Sequence, residues 1–429
     1  MSARGLAYWL DFIGRQHPEA IALGLERVRE VLGRMNVQLG CPVITVAGTN
    51  GKGSVCAYLD SILRASGRRV GLYTSPHLLR YNERVRMDGR EAADDGLCDA
   101  FAAVEQARGG VPLTYFEFGT LGALWLYARE ALDALVLEVG LGGRLDAVNV
   151  LDADCAVITG ISLDHVDLLG ATREAIGREK AGVFRPGRPA VVADPDPPHS
   201  VLGEAERIGT PVALLGRDFG YRAHPGQWDY WGPGGRRSSL AMPALRGTRQ
   251  LRNAAAAIAA LDALGTRLPV TMQDVRRGLA EVTLPGRFQV MPGRPQVILD
   301  VAHNPEAAQV LAENLGDAGF AAETLAVFGA LRDKYVQAVV RAVAPRVTRW
   351  HLATLEGPRG SSAGELTSVL EAAGVAAPSA EFADPRQAYR AARERAGEND
   401  KIVAFGSFLT VADVMQELAA SRIGRATHG

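Results

Sequence analysis

The stretch VAGTNGKGS, residues 46–54, sets glycines at 48, 51 and 53 around Lys52 and follows them with the hydroxyl of Ser54. Glycine permits tight turns that bring several backbone N–H groups to one point. A full positive charge beside those donors suits a phosphate. The flanks agree. Val43, Ile44 and Val46 are β-branched and suit a buried strand. From Ser54 to Ala65 apolar residues recur at helical spacing, so a helix N-terminus should follow and favour an anion. Strand, glycine loop and helix in that order make a P-loop, here with compressed glycine spacing and with Gly53 between lysine and hydroxyl. A glycine turn bearing an exposed lysine is the plainer alternative.

Other segments deliver polar side chains in the same way, and in open parallel sheets ligands sit beyond the carboxyl ends of the strands. RRVGLYTS ends at Ser75, with His77 two residues on. ALVLEVG holds Glu138 inside an apolar run and continues through Gly140, Gly142, Gly143 and Arg144 to Asp146. CAVITGI leads to Asp164 and His165. A buried glutamate without a partner is costly. Mg²⁺ resolves that cost, because it takes oxygen from carboxylate, hydroxyl and phosphate; a salt bridge to Arg144 is the structural alternative. His165 could join such a shell or simply pack. Lys180, in GREKAGVF, is either an ordinary solvated helical lysine beside Glu179 or a lysine that carbon dioxide has converted into a carbamate. Further on, ILDVAHNPEA places Asp300, His303 and Asn304 at another strand end. Asp300 could take a ribose hydroxyl or an amine, and His303 could face a transferring phosphoryl group. Asn304 and Pro305 also fit an ordinary helix start. Arg287, in LPGRF, is a cation that could reach phosphates.

These groups need a scaffold, and the chain supplies an alternation of strands and helices, which predicts an α/β protein with mostly parallel sheets. LGLERVREVL, FEFGTLGALWLYARE, TREAIGREKAGVF (with Thr172 as cap) and RNAAAAIAALDAL read as helices. Residues 215–250, rich in Gly, Pro and aromatics, read as a short β-rich excursion. LPGRFQVMPGRPQ punctuates the pattern near 285–296. After it the alternation restarts: QVILDVAH, TLAVFGA, RWHLATL and KIVAFGS as strands, with two helices between the last two. The expected division is 1–286, a linker at 287–296, and 297–429. The 429 residues are 47% hydrophobic and 22% charged, ordinary for a globular protein. Lys+Arg 47 against Asp+Glu 48 leaves no basic field for nucleic acid. No apolar run is long enough to span a bilayer, and Met1 to Leu10 lacks signal-peptide order, so the expected compartment is the cytoplasm. Cys41, Cys56, Cys98 and Cys155 have no metal-site spacing and are expected to be buried free thiols.

VAGTNGKGSV, YTSPHLLRYNERVRMDG, LEVGLGGRLDAVN, SLDHVDLLG, REKAGV, LPGRF and LDVAHNP, in that order, resemble the bacterial dihydrofolate synthase/folylpolyglutamate synthase family of the Mur ligase superfamily. The resemblance runs from about residue 20 to residue 415. It implies a P-loop Mur-ligase-like ATPase domain and a smaller Rossmann-like glutamate-ligase domain. It implies that Gly51, Lys52, Gly53 and Ser54 hold ATP phosphates, that Ser75, Glu138 and His165 bind Mg²⁺, and that Lys180 is carbamylated for a second Mg²⁺. Asn253, Arg287 and Asp300 would contact ATP, His303 would lie near the transferred phosphate, and Thr114, Tyr115 and Leu145 would hold the pterin end of the substrate. Members often carry an acidic residue where this chain has Ala22. The implied partners are ATP, L-glutamate, and dihydropteroate or reduced folates, with no nucleic acid or membrane, and a monomeric enzyme. The implied reaction passes the γ-phosphoryl of ATP to a carboxylate, and glutamate's amine then attacks the acyl phosphate. Keeping that intermediate from water favours closure of two domains around it. A cell-wall Mur ligase acting on a UDP-linked substrate, or a non-ligase P-loop NTPase, are the alternatives.

Overall fold

The computed structural model describes residues 5–19 and 21–426; the expected outer limits at 1 and 429 lie outside the described residues. The chain forms two compact units, Met1–Ala244 with Leu251–Val282, and Leu245–Gln250 with Thr283–Gly429. Among the described residues no helix is long and apolar enough to cross a membrane.

The first unit is built on strands β1 (Val43–Ala47), β2 (Val70–Tyr73), β3 (Val85–Met87), β4 (Arg90–Glu91), β5 (Ala134–Glu138), β6 (Cys155–Ile158), β7 (Ala190–Val192) and β8 (Val212–Leu214). They form one eight-stranded sheet in the order β4-β3-β2-β5-β1-β6-β7-β8. β3 pairs antiparallel with both β2 and β4, and every other pair is parallel. Every residue of β1 and β5 is buried, which is why both read as continuous apolar runs instead of alternating ones. The Lys52–Ala65 helix is buried from Gly53 to Leu63, and Ala254 to Ala260 in the Gln250–Leu264 helix are fully enclosed.

β9 (Gly220–His224), β10 (Gln227–Gly232) and β11 (Gly235–Ala241) make the separate β-rich excursion, an antiparallel three-stranded sheet. It is riveted to the Gln250–Leu264 helix through Asp262. That carboxylate accepts from Tyr230 Oη at 2.7 Å and from Arg237 Nη2 at 2.6 Å, the short charge-assisted kind of bond. Cys56 and Cys155 are buried, but Cys41 and Cys98 are only half-buried, which corrects the expectation of four buried thiols. Cys41 precedes β1 in a loop and Cys98 lies on the Asp94–Arg108 helix; each packs against the edge of the core while staying partly open to solvent.

The second unit holds β12 (Gln289–Met291), β13 (Gln296–Leu299), β14 (Thr324–Phe328), β15 (Arg349–Ala353), β16 (Ser379–Phe382) and β17 (Lys401–Phe405), in the order β12-β13-β17-β14-β15-β16. Only β12 is antiparallel. Phe328, Trp350 and Phe405 pack ring against ring at its centre, with centroids 4.9–6.1 Å apart. β12 and β16 are absent from the sequence-based pattern. SAEF in β16 is mostly exposed and carries no apolar run; pairing with β15 makes it a strand, and the two helices expected there flank it.

Candidate active site

β1 ends at Ala47 and the loop turns at Gly48, whose φ of 146° lies outside the range of other residues. A side chain there would also collide with Thr159 Oγ1. Thr159 in turn donates to Asn50 O at 2.7 Å, and Thr49 N donates to Gly160 O at 2.7 Å, so the exit of β6 pins the loop. Gly51, at φ 90°, opens the Lys52–Ala65 helix and offers no side chain to cap it. A Cβ at Gly51 would stand 2.8 Å from Asn253 Oδ1, so the loop and Asn253 meet closely. Lys52 Nζ folds back onto the carbonyls of Gly48 and Thr49, each at 3.1 Å. Lys180 is no solvated lysine. It is 3% exposed, and its Nζ donates to the same Gly48 carbonyl at 2.9 Å. Burial, and then the Lys52 charge, lower its pKa to about 7 against the opposing pull of Asp164 and Asp146.

The sheet order makes β2, β5, β1 and β6 consecutive neighbours, and register pairs Val46 with Glu138. Ser75, Glu138, the glycine loop and His165 therefore leave adjacent strands at one edge. Glu138 is buried and accepts from Ser75 N at 3.1 Å. Arg144 pairs with Glu179 at 2.9 Å, so the salt bridge considered for Glu138 is made elsewhere. His165 adopts a left-handed backbone, φ 51°, and donates its N–H to Asp164 Oδ1 at 2.9 Å. Asp146 accepts from Leu141 N at 2.8 Å and Val148 N at 3.1 Å, and burial raises its carboxyl to about 7.

Among the described residues no three His, Cys, Asp or Glu converge as a metal cage. The buried carboxylate of Glu138 beside Ser75 suits Mg²⁺, which keeps several waters and takes phosphate oxygens, better than a metal needing an all-protein shell. Sequence reading noticed Asp146 and Asp164 but gave them no role; their burial beside Lys180, invisible in the string, is what makes them part of the site.

A second cluster lies in the same unit. Thr114 caps the Tyr115–Tyr127 helix. Its Oγ1 accepts from Glu117 N at 3.2 Å and Glu117 Oε2 accepts from Thr114 N at 2.8 Å, a capping box. Arg27 clasps Glu117 at 2.8 Å and also donates to Ala22 O at 2.8 Å. Gly24 N donates to Leu145 O at 3.4 Å. Residues 22–24, 114–117 and 145 are thereby drawn together, with Ala22 held through its carbonyl. The Tyr115 ring meets Tyr81 edge-on at 5.8 Å. His77 accepts from Arg84 Nε at 2.8 Å; burial and that arginine lower its pKa to about 4, so it is neutral.

In the second unit Asp300, at the end of β13, accepts from Phe288 N and Ala302 N, both at 2.8 Å, and so ties down the loop that carries Arg287. Desolvation raises its carboxyl and Arg287 opposes the rise. Arg287 stacks on Phe408 at 5.2 Å, and the His303 ring lies 6.1 Å from the same phenyl, with Nδ1 2.7 Å from Val301 O. Asn304 Oδ1 accepts from Ala307 N at 2.9 Å, with Pro305 at the first helical position.

The Mur ligase middle domain matches residues 46–261 and the Mur ligase glutamate ligase domain residues 286–408. The dihydrofolate synthase/folylpolyglutamate synthase of Escherichia coli is 45% identical over 424 residues, covering 99% of this chain and 98% of that one. The structure of Escherichia coli FolC in complex with DHPP and ADP superposes with a TM-score of 0.93 at 45% identity, over 98% of this chain and 99% of that one. A bifunctional folylpolyglutamate synthase/dihydrofolate synthase with Mn, AMPPNP and L-glutamate bound gives 0.89 at 45% identity, over 97% and 98%. The chain belongs to the dihydrofolate synthase/folylpolyglutamate synthase family of Mur ligases, which are ATP-dependent acid–amino-acid ligases.

Proposed function

We propose that this chain joins L-glutamate to dihydropteroate and to reduced folates through an acyl phosphate made with ATP. The observation that carries the reading is the convergence of Lys52 and buried Lys180 on the Gly48 carbonyl, at the uncapped start of a helix. Triphosphate, substrate carboxylate and glutamate repel one another, and a cradle of N–H groups with an ammonium offsets that repulsion. Gly51, Lys52, Gly53 and Ser54 hold the phosphates, with Asn253 against the loop. Ser75, Glu138 and His165 hold Mg²⁺, which when bound neutralises charge on the transferring phosphoryl.

Lys180, with a pKa near 7, presents a neutral amine. Its lone pair attacks carbon dioxide, the N–C bond forms, one proton leaves to solvent, and the carbamate supplies oxygens for a second Mg²⁺. Thr114, Tyr115 and Leu145 take the pterin end. In the second unit Arg287 and Asp300 serve the nucleotide and His303 the phosphoryl group. A monomer in the cytoplasm, where ATP and reduced folates are found, completes the reading.

ADP release with L-glutamate and each acid offered separately tests it. Release should require glutamate together with dihydropteroate or a reduced folate. Release without either acid, or only with a UDP-linked substrate, would contradict it.

A further inference from the structure

Arg84 stands between the two clusters of the first unit. Thr74 N donates to its carbonyl at 3.0 Å, one residue before Ser75. Its guanidinium lies over the Tyr81 ring at 5.4 Å and over the Tyr115 ring at 5.5 Å, within cation–π reach of both. Its Nε is spent on His77 Nδ1 at 2.8 Å. The two Nη groups have no carboxylate or carbonyl partner among the described residues. The adjacent acid is committed elsewhere: Glu83 accepts from the N–H groups of Leu78, Leu79 and Arg80 at 2.7–2.8 Å. A half-buried guanidinium, oriented by the His77 ring and two aromatic faces, with its forked donors unanswered, is preorganised for a carboxylate.

The chemistry of the two acids says which carboxylate. Dihydropteroate has a single carboxylate, the one to be activated beside the phosphates. A reduced folate already carries a glutamyl residue, so it has a second carboxylate, on the α-carbon, that is not consumed. That group falls between the pterin end, at Tyr115, and the phosphoryl end, at Ser75 and Glu138. We propose that Arg84 binds the α-carboxylate of the terminal glutamyl residue of folate substrates and thereby sets the preference between folates and dihydropteroate. This rests on the function proposed above.

The test measures kcat/KM for dihydropteroate and for tetrahydrofolate by ADP release, with the full chain, Mg²⁺, ATP and L-glutamate. Arg84→Gln should raise KM for tetrahydrofolate about 10- to 100-fold, the usual effect of losing a charged hydrogen bond. It should shift the dihydropteroate-to-tetrahydrofolate ratio of kcat/KM at least about tenfold. Arg84→Lys keeps charge without the fork and should shift the ratio in the same direction by less. It also serves as the test if the glutamine variant does not fold. A merely structural arginine would lower both rates together and leave the ratio alone. Equal losses on the two acids, or no change, would overturn the proposal. Wild-type protein inert toward both acids would sink the functional reading itself, and this inference with it.

Discussion

The helix that follows β1 and the helix that follows β13 begin in opposite ways. After β13, Asn304 caps the Pro305–Asp317 helix with its own side chain, and Pro305 removes one N–H from the account. That start is closed by the chain itself. After β1, Gly51 has no side chain to give, and the loop is held from outside, by Thr159 and by the carbonyl of Gly160. Two lysines converge on its Gly48 carbonyl. A helix start that the protein closes is architecture. One that it leaves open, with the Lys52 ammonium beside it, is a place for an anion.

The largest expected effect removes the cation from the open start. Lys52→Ala should lower glutamate-dependent ADP release by about a thousandfold or more and leave the thermal midpoint nearly unchanged; a variant with normal turnover would remove the contrast. Glu138→Gln should cost about a hundredfold in rate and move the Mg²⁺ titration to higher concentration, and a normal titration would count against Glu138 as a ligand.

Lys180 sharpens the contrast through pH. Its folded pKa of about 7 lies below the 10.5 of an ordinary lysine, so the unfolded chain binds the extra proton between those values. In carbon-dioxide-free buffer, wild type should therefore gain stability relative to Lys180→Met as pH rises across that window. With ¹³C-labelled carbon dioxide, a carbamate signal should be stronger at pH 8 than at pH 6, because the amine must be neutral to react. Lys180→Ala should lose activity that small carboxylates partly restore. A pH-independent stability difference between Lys180→Met and wild type would contradict the buried-amine account. The smallest effect belongs to the closed start: Asn304→Ala should cost about 1 kcal/mol in chemical denaturation, and no measurable loss would mean that the cap is idle.

The strands and the glycine loop were legible because their signals are local: β-branched runs, glycines, a lysine and a hydroxyl in order. Residue types alone left Lys180 open, since GREKAGVF looks the same whether its lysine faces water or the Gly48 carbonyl; the resemblance at REKAGV pointed away from a solvated lysine, and the packing of the Arg173–Ala181 helix against the loop buries it. Arg144 was offered as a partner for Glu138 on nearness in sequence, yet Glu179, 35 residues on, takes it. β16 escaped for a related reason: its residues form a strand because β15 pairs with them, a fact that lies in another segment of the chain. Arg84 carried no signal, because an arginine shows its meaning only once its neighbours prove to be two tyrosines and a neutral histidine.

Crystals of this chain grown with AMPPNP and Mn²⁺ test the open helix start most directly. The account predicts phosphate oxygens within hydrogen-bond distance of the N–H groups at 51–54 and of Lys52 Nζ, with an anomalous manganese peak beside Glu138. Phosphates bound away from that loop, or manganese far from Glu138, would contradict it.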